Sequence, residues 1–471
     1  MAATGKLARR IPVVVAANLA AAAGGVLFQM FLSHRLEPSV FGAYVAITTF
    51  LYALCYVFEA YALTIAREYS TGRITKLGNA VLQMSLLLGL GTTCALVMYA
   101  DGTSGLAGGD PWIWAIGGVS LFVWSLLWLL RGWVQGLQLE GVYVGNRSVE
   151  LLARLGLGVL AFSFVQNLFW ALVAGALGGI FAIGHLVISV RRNAPGNFHI
   201  TREKVDKRHL VQFVKIALGL LPLALFIRLD MILAPGVLGS AHLGTYGVLT
   251  TVGKGVLLYS LAMSPLLFPY MVKSSKNEEW LRMLGFGCAF STCVLGAVYL
   301  VFRLAGSGLV EVAFGGGYRE AVPFMPMYLL ALIPLAIHCN IINLQLAQGK
   351  TLGLVVSWVG LGIYYVTLRY VPESIGSYIG WMATVQGALS VAGLLTCFRL
   401  ANSTQETRGT SGLESRVALG NGAVSGVEGI GCDRSAAQVQ CDGQSSVGEE
   451  FGIRVGEQVP DAVVERDRIS V

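Results

Sequence analysis

Three ionisable residues sit inside stretches that are otherwise apolar. Arg228 and Asp230 interrupt LPLALFIRLDMILAP, and Lys254 interrupts LGTYGVLTTVGKGVLLYS. A charge in hydrocarbon is costly and marks a functional candidate by default. Two cations and one carboxylate at similar depth could hold an anionic ligand away from lipid. They could equally pin two helices as an ion pair, with the arginine snorkelling outward. Arg228 and Asp230 are two apart, about 200° around a helix, so they cannot pair with each other. The expected arrangements are Asp230 bonded to Lys254 or to another helix with Arg228 turned to a cavity, or the reverse.

Weaker candidates surround these three. Glu59, in FEAYALTIARE, either pairs with Arg67 or faces the inner mouth of a cavity. Arg131 in LLRGWVQG and Arg154 in ELLARLG fit interfacial anchors better than ligand contacts. His338, Asn340 and Asn343 give AIHCNIINLQLAQG a polar stripe. There His338 fits an interhelical bridge better than a proton carrier. Catalytic and metal-binding patterns are missing: the chain has no HExxH, no P-loop, no cysteine pair at zinc spacing and no GxSxG. The Gly-rich GGGY at 315–318 lacks the strand, the spacing and the lysine of a phosphate loop. No catalytic residue, metal or cofactor is expected.

The elements that must hold these residues are membrane helices. Of 471 residues, 55% are hydrophobic and 13% charged, with mean hydropathy +0.68. Soluble chains carry about a quarter charged residues. Apolar runs of about 20 residues, enough to cross a bilayer, fall at 11–32, 41–63, 78–99, 112–134, 149–167, 169–190, 212–234, 244–271, 284–305, 322–347, 352–370 and 376–398. The first, with its basic start, extends past a signal-peptide core and is expected to be retained. The Trp-rich WIWAIGGVSLFVWSLLWLLRGW is most simply a lipid-facing and interfacial helix. Pro222, Pro265 and Pro269 are expected to kink helices 7 and 8. On this layout Arg228 lies roughly 9 Å below the outer boundary and Lys254 about 12–15 Å below it.

Residues 1–400 hold 27 Lys/Arg against 15 Asp/Glu, and 21 of the 27 fall on the side shared by the N-terminus. The positive-inside rule then places both termini in the cytoplasm. The formal charge of +7 reflects this topology rather than a nucleic-acid partner. The expected organisation is a six-helix bundle over 1–190, a basic cytoplasmic linker over 191–211 and a second six-helix bundle over 212–398. A Gly- and Ser-rich tail, 401–471, has 6 Arg against 11 acids and is expected to be disordered in the cytoplasm. It contains Cys432 and Cys441. The other six cysteines lie in apolar runs, where Cys is a small hydrophobe.

The two bundles share a sequence trace. LEPSVFGAYVAITT (36–49) and LGSAHLGTYGVLTT (238–251) agree at five of fourteen positions, including Gly42/Gly244, Tyr44/Tyr246, Thr48/Thr250 and Thr49/Thr251. GLQLEG (136–141) and NLQLAQG (343–349) form a weaker echo. Both strong copies open the second helix of a set of six. Halves of even helix number have the same orientation and enclose a central cavity about an axis along the membrane normal. Under the offset of 202, Arg228, Asp230 and Lys254 correspond to Val26, Phe28 and Tyr52, so the scaffold itself demands no charge there.

Five motifs in order, LEPSVFGAYVAITTF, VQGLQLEG, IRLD, LGTYGVLTTVGKG leading into SPLLFPYM, and AFGGGYREAVPFMPMYLL, resemble polysaccharide-export flippases. These are the O-antigen-unit (Wzx-type) transporters of the multidrug/oligosaccharidyl-lipid/polysaccharide (MATE-like) superfamily. The resemblance covers residues 8–400. It implies an all-α polytopic fold with about twelve helices in two parallel repeats. It also implies movement of an undecaprenyl-pyrophosphate-linked oligosaccharide between leaflets of the bacterial cytoplasmic membrane. The implied partners are that lipid-linked oligosaccharide, membrane lipid, a polysaccharide polymerase and a chain-length regulator. The readings that compete with it are a cation-coupled drug exporter of the same superfamily and a polytopic glycan polymerase or ligase, the last disfavoured by the short outer loops.

Overall fold

A computed structural model describes residues 20, 23–70, 79–102, 111–165, 167–194, 207–261, 277–347 and 351–420. Its helices are α1 (Ala23–Ser33), α2 (Pro38–Ser70), α3 (Asn79–Gly102), α4 (Pro111–Gly136), α5 (Glu140–Phe164) and α6 (Leu168–Asn193). A run over Lys207–Ser260 follows, then α9 (Asn277–Phe314), a 3-10 turn (Gly316–Ala321), α10 (Phe324–Ala347), α11 (Thr351–Tyr370) and α12 (Ile375–Gly420). The run Lys207–Ser260 breaks at Gly239 (φ 71°, ψ 173°), a backbone region that only glycine adopts freely. We call its two arms α7 and α8. The stretch GVLGSAH, left between the apolar runs at 212–234 and 244–271, is therefore helical on both sides of one glycine.

Eight of these runs are long and apolar enough to cross a membrane. The one over Arg208–Ser260, at 53 residues, is long enough for two crossings of an apolar layer about 30 Å thick. Two shorter apolar helices are Ala23–Ser33 and Leu354–Tyr370. Helix α5 escapes a hydropathy search because it carries Glu140, Arg147, Glu150 and Arg154. The chain is an all-helical multi-pass membrane protein, and the sequence reading of about twelve helices agrees with it. Only boundaries move: α5 starts nine residues before the apolar run at 149, because its first turns are polar.

Helices α2, α4 and α6 form the centre of the first bundle, and the run Lys207–Ser260 with α10 that of the second. The Trp-rich helix is mostly buried within the bundle rather than turned to lipid, and only a narrow stripe through Trp112, Val119 and Phe122 is exposed. Trp114, Trp124 and Trp133 are buried, and α4 packs against α2, α3 and α6. A helix apolar all round belongs in the middle of a bundle as readily as in lipid. The weaker echo diverges: LQL at 137–139 is a turn with Gln138 at φ 57°, whereas 344–346 lies within α10. The described residues up to Gln405 form one compact unit. Beyond it, α12 runs on to Gly420, so 401–420 is helical where a structureless tail was expected, since a helix once nucleated extends at little cost. Cys432, Cys441, Pro265 and Pro269 lie outside the described residues.

The strong repeat is the place where the halves meet. A Cβ on Gly42 would come within 2.6 Å of Gly244 N and Leu243 O. A Cβ on Gly244 would come within 2.6 Å of Pro38 C. The two glycines thus let the backbones of α2 and α8 touch, as small residues do where membrane helices cross closely. Below them Thr251 Oγ1 donates to Gln29 Oε1 at 2.6 Å, joining α8 to α1.

Candidate functional site: a cluster of cations at the seam of the halves

The neighbours of Asp230 set the geometry of the second half. Lys254 Nζ lies 2.7 Å from Oδ1, while the phenols of Tyr246 and Tyr328 each donate to Oδ2 at 2.9 Å. Tyr378 donates to the Asp230 carbonyl at 2.6 Å. Four helices, α7, α8, α10 and α12, are thereby tied to one residue. The Asp230 side chain is 2% exposed and that of Lys254 12%. Buried charge is tolerated when paired and hydrogen-bonded in this way. Asp230 thus bonds Lys254, and Arg228, about 200° around α7, points elsewhere.

Arg228 points across the seam to the first half. Its guanidinium lies 5.4 Å from the Tyr52 ring centroid and 5.5 Å from that of Tyr56, both on α2. Its Nε is buried with no hydrogen-bond partner among the described residues. Tyr52, Tyr56 and Glu59 are spaced i, i+4, i+7, so they share one face of α2. A second stripe, Tyr143, Arg147, Glu150 and Arg154, runs along α5 with the same spacing extended by one turn. The stripes meet where Arg154 Nη1 donates to the Tyr52 hydroxyl. The ring of Tyr52 also stacks on Trp124 at 5.3 Å and 6°. Glu59 is half-buried within electrostatic range of Arg147 and Arg228.

Arg131 is not an interfacial anchor. It is 1% exposed, and its Nη2 contacts Glu150 Oε2 at 2.5 Å while Nε donates to Asn146 at 2.8 Å. Asn146 in turn donates to the Ala182 carbonyl at 2.7 Å, so this group locks α4, α5 and α6. Nor does Arg154 anchor at an interface: it reaches inward to Tyr52 and lies over Phe28 at 6.0 Å. Arg147 lies over Trp128 at 5.0 Å and Tyr143 at 5.9 Å. Rings thus flank three guanidiniums, of which Arg154 donates to Tyr52 and Arg147 also pairs with Glu150 at 3.9 Å.

The polar stripe of α10 belongs to the core of the second bundle. His338 packs edge-on against Phe226 at 4.8 Å, and Asn340 donates to Ser291 on α9 at 3.2 Å. Asn343 is half-buried. Phe226 and Asp230 share one face of α7 and Arg228 occupies another, so the structure separates these three residues from the cations at the seam. Arg228, Glu59, Arg147 and Arg154 cluster there, with Arg131 behind them and Lys254–Asp230 alongside. Arg147, Glu150 and Tyr56 were not singled out in the sequence, and Tyr52 entered only as the repeat counterpart of Lys254. The i, i+4, i+7 spacing was visible there, but the α5 stripe straddled an apolar boundary placed at 149.

Fold and site together define a class: a multi-pass membrane protein of two parallel helical bundles with buried charges inside each and Arg228 reaching across their seam. Solved structures of that class are similar to this chain. One is the inward-facing conformation of a multidrug resistance MATE family transporter of the MOP superfamily, with TM-score 0.66, 12% identity, and 82% of this chain and 95% of that chain covered. The Vibrio cholerae MATE transporter VcmN in the bent form gives TM-score 0.60, 16% identity, and coverage of 86% and 99%. A MATE in complex with MaL6 gives TM-score 0.64, 11% identity, and coverage of 84% and 96%. At these identities the likeness carries the fold, which is MATE-like. No protein-family model and no curated protein matches the sequence.

Proposed function

We propose that this chain is a membrane exporter that moves a lipid-linked oligosaccharide from the inner to the outer leaflet by alternating access between its two bundles. The observation that carries this reading is the charge of this cluster. Five cations (Arg131, Arg147, Arg154, Arg228 and Lys254) stand against three carboxylates (Glu59, Glu150 and Asp230), a net of two positive charges within membrane helices. In low dielectric such an excess favours an anionic cargo head and repels a cationic one. An undecaprenyl pyrophosphate supplies the anion, and its sugars suit a site rich in phenols and guanidiniums. The protein then sits in the bacterial cytoplasmic membrane with both termini inside, alongside a polysaccharide polymerase and a chain-length regulator.

The likeness to a multidrug resistance MATE family transporter favours a second reading, a cation-coupled drug exporter. One experiment separates them. A deletion strain is scored for lipid-linked oligosaccharide on the cytoplasmic face and for drug sensitivity, then complemented with the natural protein, Arg228→Gln and Arg154→Gln. The flippase reading expects accumulation on deletion, rescue by the natural protein and failure of both variants at normal protein level. Full export by the two variants, or drug sensitivity without accumulation, would refute it.

A further inference from the structure

The segment GGGYREA, which is no phosphate loop, sits where the second half grips the first. After α9 ends, Gly315 (φ 95°) turns the chain into the 3-10 turn Gly316–Ala321. That turn lies against the α1–α2 corner. A Cβ on Gly317 would be 3.6 Å from Pro38 Cγ, and one on Gly315 would be 3.7 Å from His34 Cδ2. Phe41 of α2 enters an aromatic pair from the second half: its ring is 5.5 Å and 75° from Tyr318, and 6.4 Å and 62° from Phe314. Phe314 and Tyr318 are themselves edge-on at 6.4 Å. All three rings are fully buried or nearly so. The turn is fastened to its own half by Arg319, which donates to both oxygens of Glu311 on α9 at 2.8 and 2.9 Å. It therefore moves with the second half, and separating the halves at this end must withdraw Phe41 from the two rings.

The latch also carries a built-in defect. The Tyr318 hydroxyl is buried and has no hydrogen-bond partner among the described residues. A buried unsatisfied hydroxyl penalises the state that buries it. Release of the turn would return that group to solvent.

We infer that Phe41, Phe314 and Tyr318 form the latch of the gate at this end, the outer end on the orientation proposed above, and that the phenol of Tyr318 keeps the closed latch weak enough to open. Two substitutions at one residue then act in opposite directions. Tyr318→Phe keeps both ring contacts and removes the penalty, so it tightens the latch. Tyr318→Ala removes the contacts and loosens it. Phe41→Leu, which installs the residue found at the equivalent position Leu243 of the repeat, loosens it with little loss of volume.

The readout is labelling of a reporter, Thr251→Cys, by a membrane-impermeant maleimide added outside intact cells. Thr251 is buried on the seam below the latch, bonded to Gln29. Its rate is taken as the increment over the same variant without the reporter. Two edge-to-face contacts correspond to roughly tenfold faster labelling in Tyr318→Ala, and the relieved hydroxyl to about fivefold slower labelling in Tyr318→Phe. Phe41→Leu should also label faster, and it keeps the test open where the alanine variant fails to accumulate. A Tyr318→Phe rate at or above the natural one, or natural rates in both loosening variants, would overturn the latch. Cargo export is not read, so failure of the flippase reading leaves this ranking intact.

Discussion

Gly244→Ala is the sharpest test of how the two halves are joined. In the structure a Cβ at this position would lie 2.6 Å from the Pro38 carbonyl carbon. Ordinary contact is about 1 Å longer, so α2 and α8 must part by about that much at their crossing. The obstacle is backbone, which cannot swing aside as a flexible side chain would. Overpacking of this kind costs about 1–3 kcal/mol. Alanine also returns about 1 kcal/mol of helix propensity relative to glycine. Because the clash is with main chain, the cost belongs at the upper end of that range and the steric loss should win, leaving a net loss of up to about 2 kcal/mol.

The control is Gly362→Ala in α11, where a Cβ would meet nothing within 4 Å. There only propensity acts, and stability should rise by up to about 1 kcal/mol. Melting temperatures of the purified protein in one detergent compare the two directly. The double variant Gly42→Ala with Gly244→Ala should lose less than the two singles together, since the first substitution already opens the crossing. If Gly244→Ala melted at or above the natural protein, with Gly362→Ala moving as expected, the backbone contact between the repeats would be wrong.

The buried charges give further expectations. Lys254→Met leaves Asp230 buried without its cation and should lose about 3–5 kcal/mol, while Asp230→Asn together with Lys254→Met should recover much of that, as read by melting of each variant. Glu150→Gln withdraws the carboxylate that contacts buried Arg131, so it should lower the melting temperature, whereas Arg147→Gln, whose guanidinium is half-buried over two rings, should lower it less. Thr251→Val removes the bond to Gln29 across the seam and should lose about 0.5–1.5 kcal/mol.

The fold was largely legible because a bilayer leaves few solutions: long apolar runs become helices, and an even number per half sets parallel bundles. Legibility failed where one helix violates the hydropathy rule for a reason. Helix α5 carries four charges, so its first nine residues read as loop, and with them went Arg147 and the stripe it belongs to. Burial of the Trp-rich α4 was equally hidden, since lipid and a bundle core present the same solvent to an apolar helix. The pairing of Asp230 with Lys254 was within reach of sequence. That three tyrosines on α8, α10 and α12 would complete its coordination was not, because no spacing rule links residues 246, 328 and 378.

The repeat assigns different work to equivalent positions, and this shifts attention from the lysine that the sequence made conspicuous. In the second half Asp230, Tyr246 and Lys254 join to one another, and the charges satisfy themselves while holding four helices. In the first half the same positions are Phe28, Tyr44 and Tyr52. Phe28 and Tyr44 meet edge-on at 6.5 Å, and Arg154 arrives from α5 to take Tyr52. A lysine neutralised at 2.7 Å contributes little field to a ligand, whereas Arg228 and Arg154 reach the same ring from opposite halves with no carboxylate bonded to either among the described residues. On our reading, then, export should be more sensitive to Arg154→Gln and Arg228→Gln than to any Lys254 variant restored to normal stability by Asp230→Asn. Export by the Asp230→Asn, Lys254→Met protein at less than the level of Arg228→Gln would return the cargo site to the lysine.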